Sequence, residues 1–204
     1  MAISSTIIDS ETGAKESVVA AALVGDAIVE PITLARAKAH LRVVFEDEDD
    51  YIASLITSAR QMAEGRLNRT LVQRQLTETF PAWCSCMVLP KPPLVSVDSV
   101  VYLDTDGAQQ SLEAYEVYDS RVPAVLGLPY GASLPALRWR PDAIRVTYTA
   151  GYADGEVPAP IVSWMLLVIG SLYENRETMS AGVQIYSIPE DFMQWMLQPY
   201  MVYE

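Results

Sequence analysis

Near the start of the chain, apolar residues recur at the spacing of a helix. A first helix is predicted to begin at Thr33, whose hydroxyl can accept a hydrogen bond from the free amides of the first turn. Three apolar residues then share one face and three basic residues point away from it: Leu34, Ala37 and Leu41 against Arg36, Lys38 and Arg42. This pattern predicts a short amphipathic helix.

A second apolar stretch predicts a longer helix. Asp49 and Asp50 lie at its predicted start, where the helix dipole favours negative charge. Its apolar positions recur three or four residues apart, as one helical face requires: Ile52, Leu55, Ile56, Ala59, Ala63 and Leu67. Arg66 and Arg69 follow at the C-terminal end, where positive charge is favoured.

Between residues 71 and 149 the pattern changes to alternation, which predicts β-strands. The alternating segments are 73–80, 95–103, 111–118 and 143–149. The run from Met87 to Leu94 contains three prolines, so it predicts a bend and excludes a central strand. Asp104 to Gly107 is typical of a hairpin turn. We expect one small, mostly antiparallel sheet.

Helical spacing returns after Pro160, a residue suited to a first helical turn. The apolar face of this helix is wide: Ile161, Trp164, Met165, Val168, Ile169, Leu172 and Tyr173. After a loop through Gly182, a last short helix is predicted from Pro189 to Gln198. Pro199 is expected to end it.

Taken together, these periodicities predict the α+β class. The predicted domain spans residues 31–204. It combines a helical bundle, built from helices 33–69 and 160–198, with a small antiparallel β module at 71–150 inserted between them. Residues 1–30 are predicted to form an N-terminal arm. The arm is polar and small up to Ser17, so we expect it to be extended or to order only on contact. Its apolar end, Val18 to Val29, fits a short strand or a short helix.

The charge of the chain restricts its partners. The 204 residues carry a net charge of −12 and half of them are hydrophobic. A general nucleic-acid binder needs lysine and arginine to displace counterions, so this class is disfavoured. The longest apolar run, Trp164 to Gly170, is too short to span a membrane. Because no signal peptide is visible either, we expect a cytosolic chain without membrane contact.

Candidate chemistry is sparse. The acidic run Glu46 to Asp50 lacks the spaced ligands and the glycine of a calcium loop, so we interpret it as a solvated loop and helix start. His40 is the only histidine and no Gly-x-Ser-x-Gly elbow accompanies it, which favours a surface or interface role. Cys84 and Cys86 lie too close for an ordinary disulfide and lack further zinc ligands, which favours reduced thiols. We expect no catalytic residue, cofactor or metal.

Aromatic residues and methionines crowd the end of the chain. A core helix would explain Trp195, but Tyr200, Met201 and Tyr203 follow the helix-ending proline and fit core packing less well. Exposed aromatic and methionine side chains are typical interface anchors. We therefore predict Trp195, Tyr200, Met201 and Tyr203 as interaction residues, with packing on the protein's own core as the alternative.

Several short motifs follow one another in a fixed order along residues 31–200. They are Thr33-Leu-Ala-Arg-Ala-Lys-Ala-His-Leu-Arg42, Tyr51-Ile-Ala-Ser-Leu-Ile-Thr-Ser-Ala-Arg60, Leu89-Pro-Lys-Pro-Pro-Leu94, Val97-Asp-Ser-Val100, Val146-Thr-Tyr-Thr-Ala-Gly-Tyr152, Val157-Pro-Ala-Pro160 and Leu172-Tyr-Glu-Asn-Arg-Glu177. This ordered set resembles the head-tail connector, or adaptor, proteins of long-tailed bacteriophages. The chain departs from that pattern in the thirty residues before the usual start and in the proline-rich segment 121–140.

The resemblance implies a structural protein of the virion neck. Such proteins form a ring, usually of twelve copies, beneath the portal and join it to the neck and tail. DNA passes through the lumen without specific binding, and an acidic lumen would avoid trapping its phosphates. The implied partners are further copies of the chain, the portal protein and neck or tail proteins, with assembly in the host cytoplasm.

The resemblance also suggests where contacts form. A closed ring requires one face of each subunit to meet a different face of the next, and the helices at 33–67 and 160–176 could offer such a lateral surface. We place the portal contact in the tail, residues 198–204. The arm is assigned to a neighbouring subunit or the next neck ring.

Two other functions fit the same sequence. One is a small acidic hydrolase that uses two carboxylates, with or without a metal, although no spacing selects a pair. The other is a different neck or tail-completion protein of similar build. Ring formation favours the adaptor, whereas a monomer with tight stoichiometric metal binding favours the hydrolase.

Overall fold

A helical layer and two antiparallel sheets make up the protein, which confirms the α+β class. The computed structural model describes residues 28–84, 86–176 and 190–203. The predictions for residues 1–27 and for the loop through Gly182 lie outside them. Within these ranges no helix is long and apolar enough to cross a membrane.

The helices lie where the apolar spacing predicts them. Within the described residues they are α1 (Leu34–Leu41), α2 (Asp49–Leu67), α3 (Ala159–Glu174) and α4 (Glu190–Leu197), the last followed by a 3-10 turn (Gln198–Tyr200). The Thr33 cap is confirmed, because its Oγ1 accepts a hydrogen bond from the Arg36 amide at 3.2 Å. Pro199 lies in the 3-10 turn, so the α-helix ends before it, as predicted.

α2 and α3 pack against each other and run in opposite directions. The start of α2 meets the end of α3 where Arg176 binds Glu48. The end of α2 meets the first turns of α3 where Arg66 lies over the Trp164 ring. The side chains between these two points form one hydrophobic core with α1 and α4: Ala37, Ile52, Ala59, Ala63, Leu67, Ile161, Trp164, Met165, Ile169 and Leu197 among others.

The β module contains two sheets, so the expectation of one sheet is wrong. Its strands are β1 (Arg74–Phe80), β2 (Met87–Leu89), β3 (Leu94–Leu103), β4 (Gln109–Ser111), β5 (Glu116–Tyr118), β6 (Ala124–Gly127) and β7 (Ile144–Ala150). One sheet has the order β1-β7-β3-β4 and the other β2-β6-β5, all antiparallel. Both sheets contribute side chains to a second hydrophobic core, which includes Leu76, Met87, Leu126, Val146 and Tyr148.

The second sheet arises where the alternating pattern of apolar and polar residues predicted the strands least accurately. The single strand predicted at 111–118 is wrong, because the chain turns inward after Ser111. There Leu112 donates its amide to the Val100 carbonyl at 2.8 Å, and Leu112 and Tyr115 pack on the core. The chain then enters β5 in the other sheet. Strand β6 was missed because all four of its residues are buried, so it shows no alternation.

A buried group of charges joins the helical layer to the β module. Arg60, on α2, is only 3% exposed and binds Glu30 at 2.8 Å and Glu64 at 3.2 Å. Glu64 also accepts hydrogen bonds from Arg74 of β1 at 3.2 Å and from the Leu71 amide at 2.9 Å. Two acids and two bases therefore balance each other where the chain passes from α2 into the first strand.

Gly151 brings the returning chain against the same junction. Its φ of +123° is rarely adopted by residues with a side chain. A Cβ added there would collide with the Val72 carbonyl, and the Gly151 amide donates to the Pro93 carbonyl at 2.9 Å. The glycine in the Ala-Gly-Tyr motif is therefore explained by a close approach of two backbone segments.

Replacing Gly151 with alanine is expected to lower the free energy of unfolding by about 3 kcal/mol, because the strained φ and the backbone collision add. The measurement is urea denaturation at constant m-value. Gly65→Ala on the exposed side of α2 is the matched control, since no atom lies within 4 Å of its new methyl group. That control should raise stability by about 0.5–1 kcal/mol. Equal effects of the two substitutions would contradict this account.

Candidate interaction surface

The C-terminal tail is bound to the end of α2 through its backbone. The Val202 amide donates to the Leu67 carbonyl at 3.0 Å, and Arg69 Nε donates to the Tyr200 carbonyl at 2.5 Å. The last carbonyls of a helix have no partner within it, so the tail satisfies one of them. The tail is thereby held at the junction with the β module.

The four predicted interaction residues divide into two pairs. Tyr200 and Met201 are half-buried and pack against the helical core, so for them the alternative of packing on the protein's own core is realised. Trp195 and Tyr203 are 70% and 73% exposed. The structure therefore presents two of the four aromatic and methionine anchors to solvent.

At the opposite end of the helical layer, a clasp of charged and aromatic groups ties α3 to α2. Tyr173 donates to Glu48 at 2.5 Å and Arg176 donates to it at 2.6 Å. The Arg176 guanidinium also lies 4.8 Å from the ring centroids of both Tyr51 and Tyr173. The hydrogen bonds from Tyr173 and Arg176 hold the pKa of Glu48 below its ordinary value of 4.5. This clasp gives Tyr173 and Arg176, the first and last residues of the Tyr-Glu-Asn-Arg motif, a structural role.

Two further exposed apolar groups were missed by sequence reasoning. Val44 and Phe45 lie in the loop before α2, and Val44 is 92% exposed. Tyr130, Leu134 and Trp139 are exposed in the long connection between β6 and β7. The sequence signal for the second group was Trp139, which lies between two arginines in a segment whose apolar residues show no regular spacing.

The candidate chemical groups take structural or surface positions. Asp49, in the acidic run, binds Lys38 at 2.5 Å, which ties the start of α2 to α1. His40 is exposed, and Cys84 and Cys86 are exposed free thiols. Among the described residues no three His, Cys, Asp or Glu side chains are arranged to hold a metal ion.

A cleft of about 170 Å³ lies beside the point where the described chain begins. Val29 and Pro31 line one part of it, and Tyr152 and Val157 line another. Typical small-molecule sites occupy roughly 300–1,000 Å³. The cleft therefore gives no ligand assignment.

Residues 31–92 match a family model described as phage gp6-like head-tail connector protein. The resemblance to head-tail connectors inferred from the motifs is thereby confirmed. The matched range covers α1, α2 and the first two strands, and it includes three of the four junction charges, Arg60, Glu64 and Arg74. No curated protein matches the chain by sequence.

Solved structures of gene transfer agent (GTA) particles contain chains with the same fold. In the neck of an empty GTA particle computed with C6 symmetry, a chain aligns with TM-score 0.71 and 20% identity, covering 90% of this protein and 96% of that chain. The virion of a native GTA particle gives TM-score 0.71 and 20% identity, with 91% and 96% covered. The neck of a native GTA particle computed with C12 symmetry gives 0.70 and 21%, with 90% and 96% covered.

The clasp at Glu48 is expected to make stability depend on pH. Because the folded pKa of Glu48 lies below its ordinary value, the stabilisation is fully present above about pH 4.5 and is lost as pH falls through the folded pKa. Glu48→Gln should therefore lower the melting temperature at pH 7, and its difference from the unmodified protein should shrink as the solution is acidified toward pH 3.

Asp47→Asn is the control, since this neighbouring acid is exposed and has no hydrogen bond or ion pair in the described structure. It should leave the melting temperature at pH 7 almost unchanged. A Glu48→Gln difference that stayed constant from pH 7 to pH 3 would show that the carboxylate charge is not what stabilises the clasp.

Proposed function

We propose that this protein is a non-enzymatic head-to-tail adaptor, a ring beneath the portal that joins it to the neck or tail. The observation that carries the proposal is the agreement of two separate comparisons. A family model matches the first third of the domain by sequence, and neck structures of GTA particles match nine-tenths of the chain by fold. Both lead to a protein of the head-tail junction.

In this proposal the protein works as a copy in a ring. Twelve copies are supported by the C12 symmetry of one similar neck structure. The helices from both ends of the chain act as one bundle that carries the inserted β module, within a domain of residues 31–204. Residues 1–30 form an arm that contacts a neighbouring copy or the next ring.

The charge of the protein suits a channel for DNA. With a net charge of −12 on every copy, a ring would repel phosphates, and DNA could pass during ejection without being held. The adaptor is accordingly placed in the virion neck, after assembly in the host cytoplasm. It acts by binding other proteins and needs no cofactor or membrane.

The portal contact is assigned to the tail surface, defined by Trp195 and Tyr203. Both side chains are largely exposed, and tryptophan and tyrosine are enriched among residues that dominate binding energy. Tyr200 and Met201 position this surface, because they pack against the core and the Tyr200 carbonyl is held by Arg69.

The double variant Trp195→Ala/Tyr203→Ala is expected to weaken binding to isolated portal rings by about a thousandfold, because two anchor residues of about 2 kcal/mol each amount to about 4 kcal/mol. Co-sedimentation with portal rings measures the affinity. Point substitutions are preferable to removal of the tail, because the Val202 amide caps α2 and its loss would disturb the fold.

Tyr118→Ala is the control, an exposed tyrosine in the β module. It should bind the portal as the unmodified protein does. Undiminished binding by the double variant would remove the tail from the portal contact. A protein that stays monomeric both alone and with portal rings, and that binds a metal ion stoichiometrically, would instead support the hydrolase.

A further inference from the structure

The longest stretch of this acidic protein without an acidic residue lies in the β module. Between Asp119 and Asp142 the chain has three arginines and no acidic residue. The stretch contains the long connection between β6 and β7, here called the Trp139 loop (residues 128–140). Its exposed apolar side chains are Tyr130, Leu134 and Trp139.

Trp139 is exposed although the backbone around it is fixed. Its side chain is 96% exposed. On one side, Trp83 donates to the Pro135 carbonyl at 2.9 Å and the Arg138 amide donates to Leu103 at 3.1 Å. On the other side, Arg140 binds Asp142 through two hydrogen bonds of 2.8 and 2.9 Å. Because the backbone is already fixed, binding would restrict only the rotation of the Trp139 side chain, which favours an anchor in an interface.

The same chain carries a complementary surface. The loop before α2, here called the acidic loop (residues 42–48), exposes Val44 and Phe45. Glu46 and Asp47, which follow directly, are also exposed. Apolar side chains beside negative charge complement an exposed tryptophan flanked by arginines.

A single copy cannot bring these two surfaces together. The acidic loop lies at the start of α2, and the β module joins the helical layer at the end of α2, through Glu64 and Arg74. α2 has 19 residues, which corresponds to ~28 Å at 1.5 Å per residue. A contact between the Trp139 loop and the acidic loop would therefore join two different copies.

DNA is a weaker candidate for the Trp139 loop. The loop holds only two cations, Arg138 and Arg140, and the protein as a whole carries a net charge of −12. Because binding through phosphate contacts grows with the number of cations available, two arginines on a surface that repels phosphate give little affinity for DNA. A second copy of this chain offers both the negative charge and the apolar side chains.

We propose that the Trp139 loop of one copy docks on the acidic loop of the next copy, as the contact that closes the ring. This inference rests on the proposed function, because it assigns the two faces that a ring contact requires. It also sets the orientation of the subunit. Since the contact joins opposite ends of neighbouring copies, α2 is inclined to the ring axis.

Cross-linking between two single-cysteine variants tests the contact. The background is Cys84→Ser/Cys86→Ser, which removes the exposed native thiols. Ser133→Cys places a thiol in the Trp139 loop and Asp47→Cys places one in the acidic loop. With a flexible bismaleimide, rings assembled from a mixture of both variants, alone or on the portal, should give cross-linked dimers. Rings of either variant by itself should give none.

A pair of tryptophan substitutions provides the functional test. Trp139→Ala should weaken ring assembly about tenfold or more, measured by sedimentation velocity and by the fraction of closed rings in micrographs. Trp195→Ala is the matched control, because it removes an exposed tryptophan assigned to the portal contact. It should leave ring assembly unchanged. Both side chains are largely exposed, so neither substitution should affect folding.

The results separate this inference from the proposed function. If the unmodified protein forms no ring either alone or on the portal, the proposed function fails. If rings form, Trp139→Ala assembles normally and the mixed variants do not cross-link, the inference is overturned and the adaptor function stands. Normal rings with reduced retention of a DNA duplex by Trp139→Ala would likewise overturn it, in favour of a nucleic-acid contact.

Discussion

The orientation of the β module relative to the helical layer is set at one junction, and the central group of that junction is the largely buried carboxylate of Glu64. The two parts have separate hydrophobic cores, so apolar packing within each does not fix the angle between them. Glu64 binds Arg60 inside the helical layer and Arg74 in the first strand, and it accepts the Leu71 amide between them. Charges buried to this degree need partners in defined positions, since an unpaired one costs several kcal/mol. The junction therefore tolerates little variation in geometry.

A fixed junction gives the protein two well-defined ends. One end holds the clasp of Glu48, Tyr173 and Arg176 beside the acidic loop. The other holds the tail, the junction and the β module. Because α2 and α3 run antiparallel between the two ends, surfaces about one helix length apart keep a constant separation. A subunit that must match different neighbours on different faces requires this property.

The sequence predicted the elements that are determined by apolar periodicity. It missed the features that are determined by close tertiary contacts. Helical spacing and end charges located α1, α2 and α3, because an amphipathic face must be buried whatever it packs against. Strand β6 was missed because it is buried on both faces. Tyr200 and Met201 were predicted as interaction residues with core packing as the alternative, and their contact with the core depends on Arg69 and Leu67, more than a hundred residues earlier, which bind the tail. No local pattern contains that information.

The exposure of the missed aromatic residues fits assembly from weak contacts. A loop anchored by one tryptophan and a few polar groups gives a modest affinity between two free copies, since association itself costs several kcal/mol. In the proposed ring each copy would make this contact twice, and copies bound side by side on a template would meet at a high effective concentration. Net charge of the same sign on every copy opposes assembly in free solution. The copies would attract each other only at this local contact, while their net charges repel. Closed rings are therefore expected to form where a template holds the copies close together.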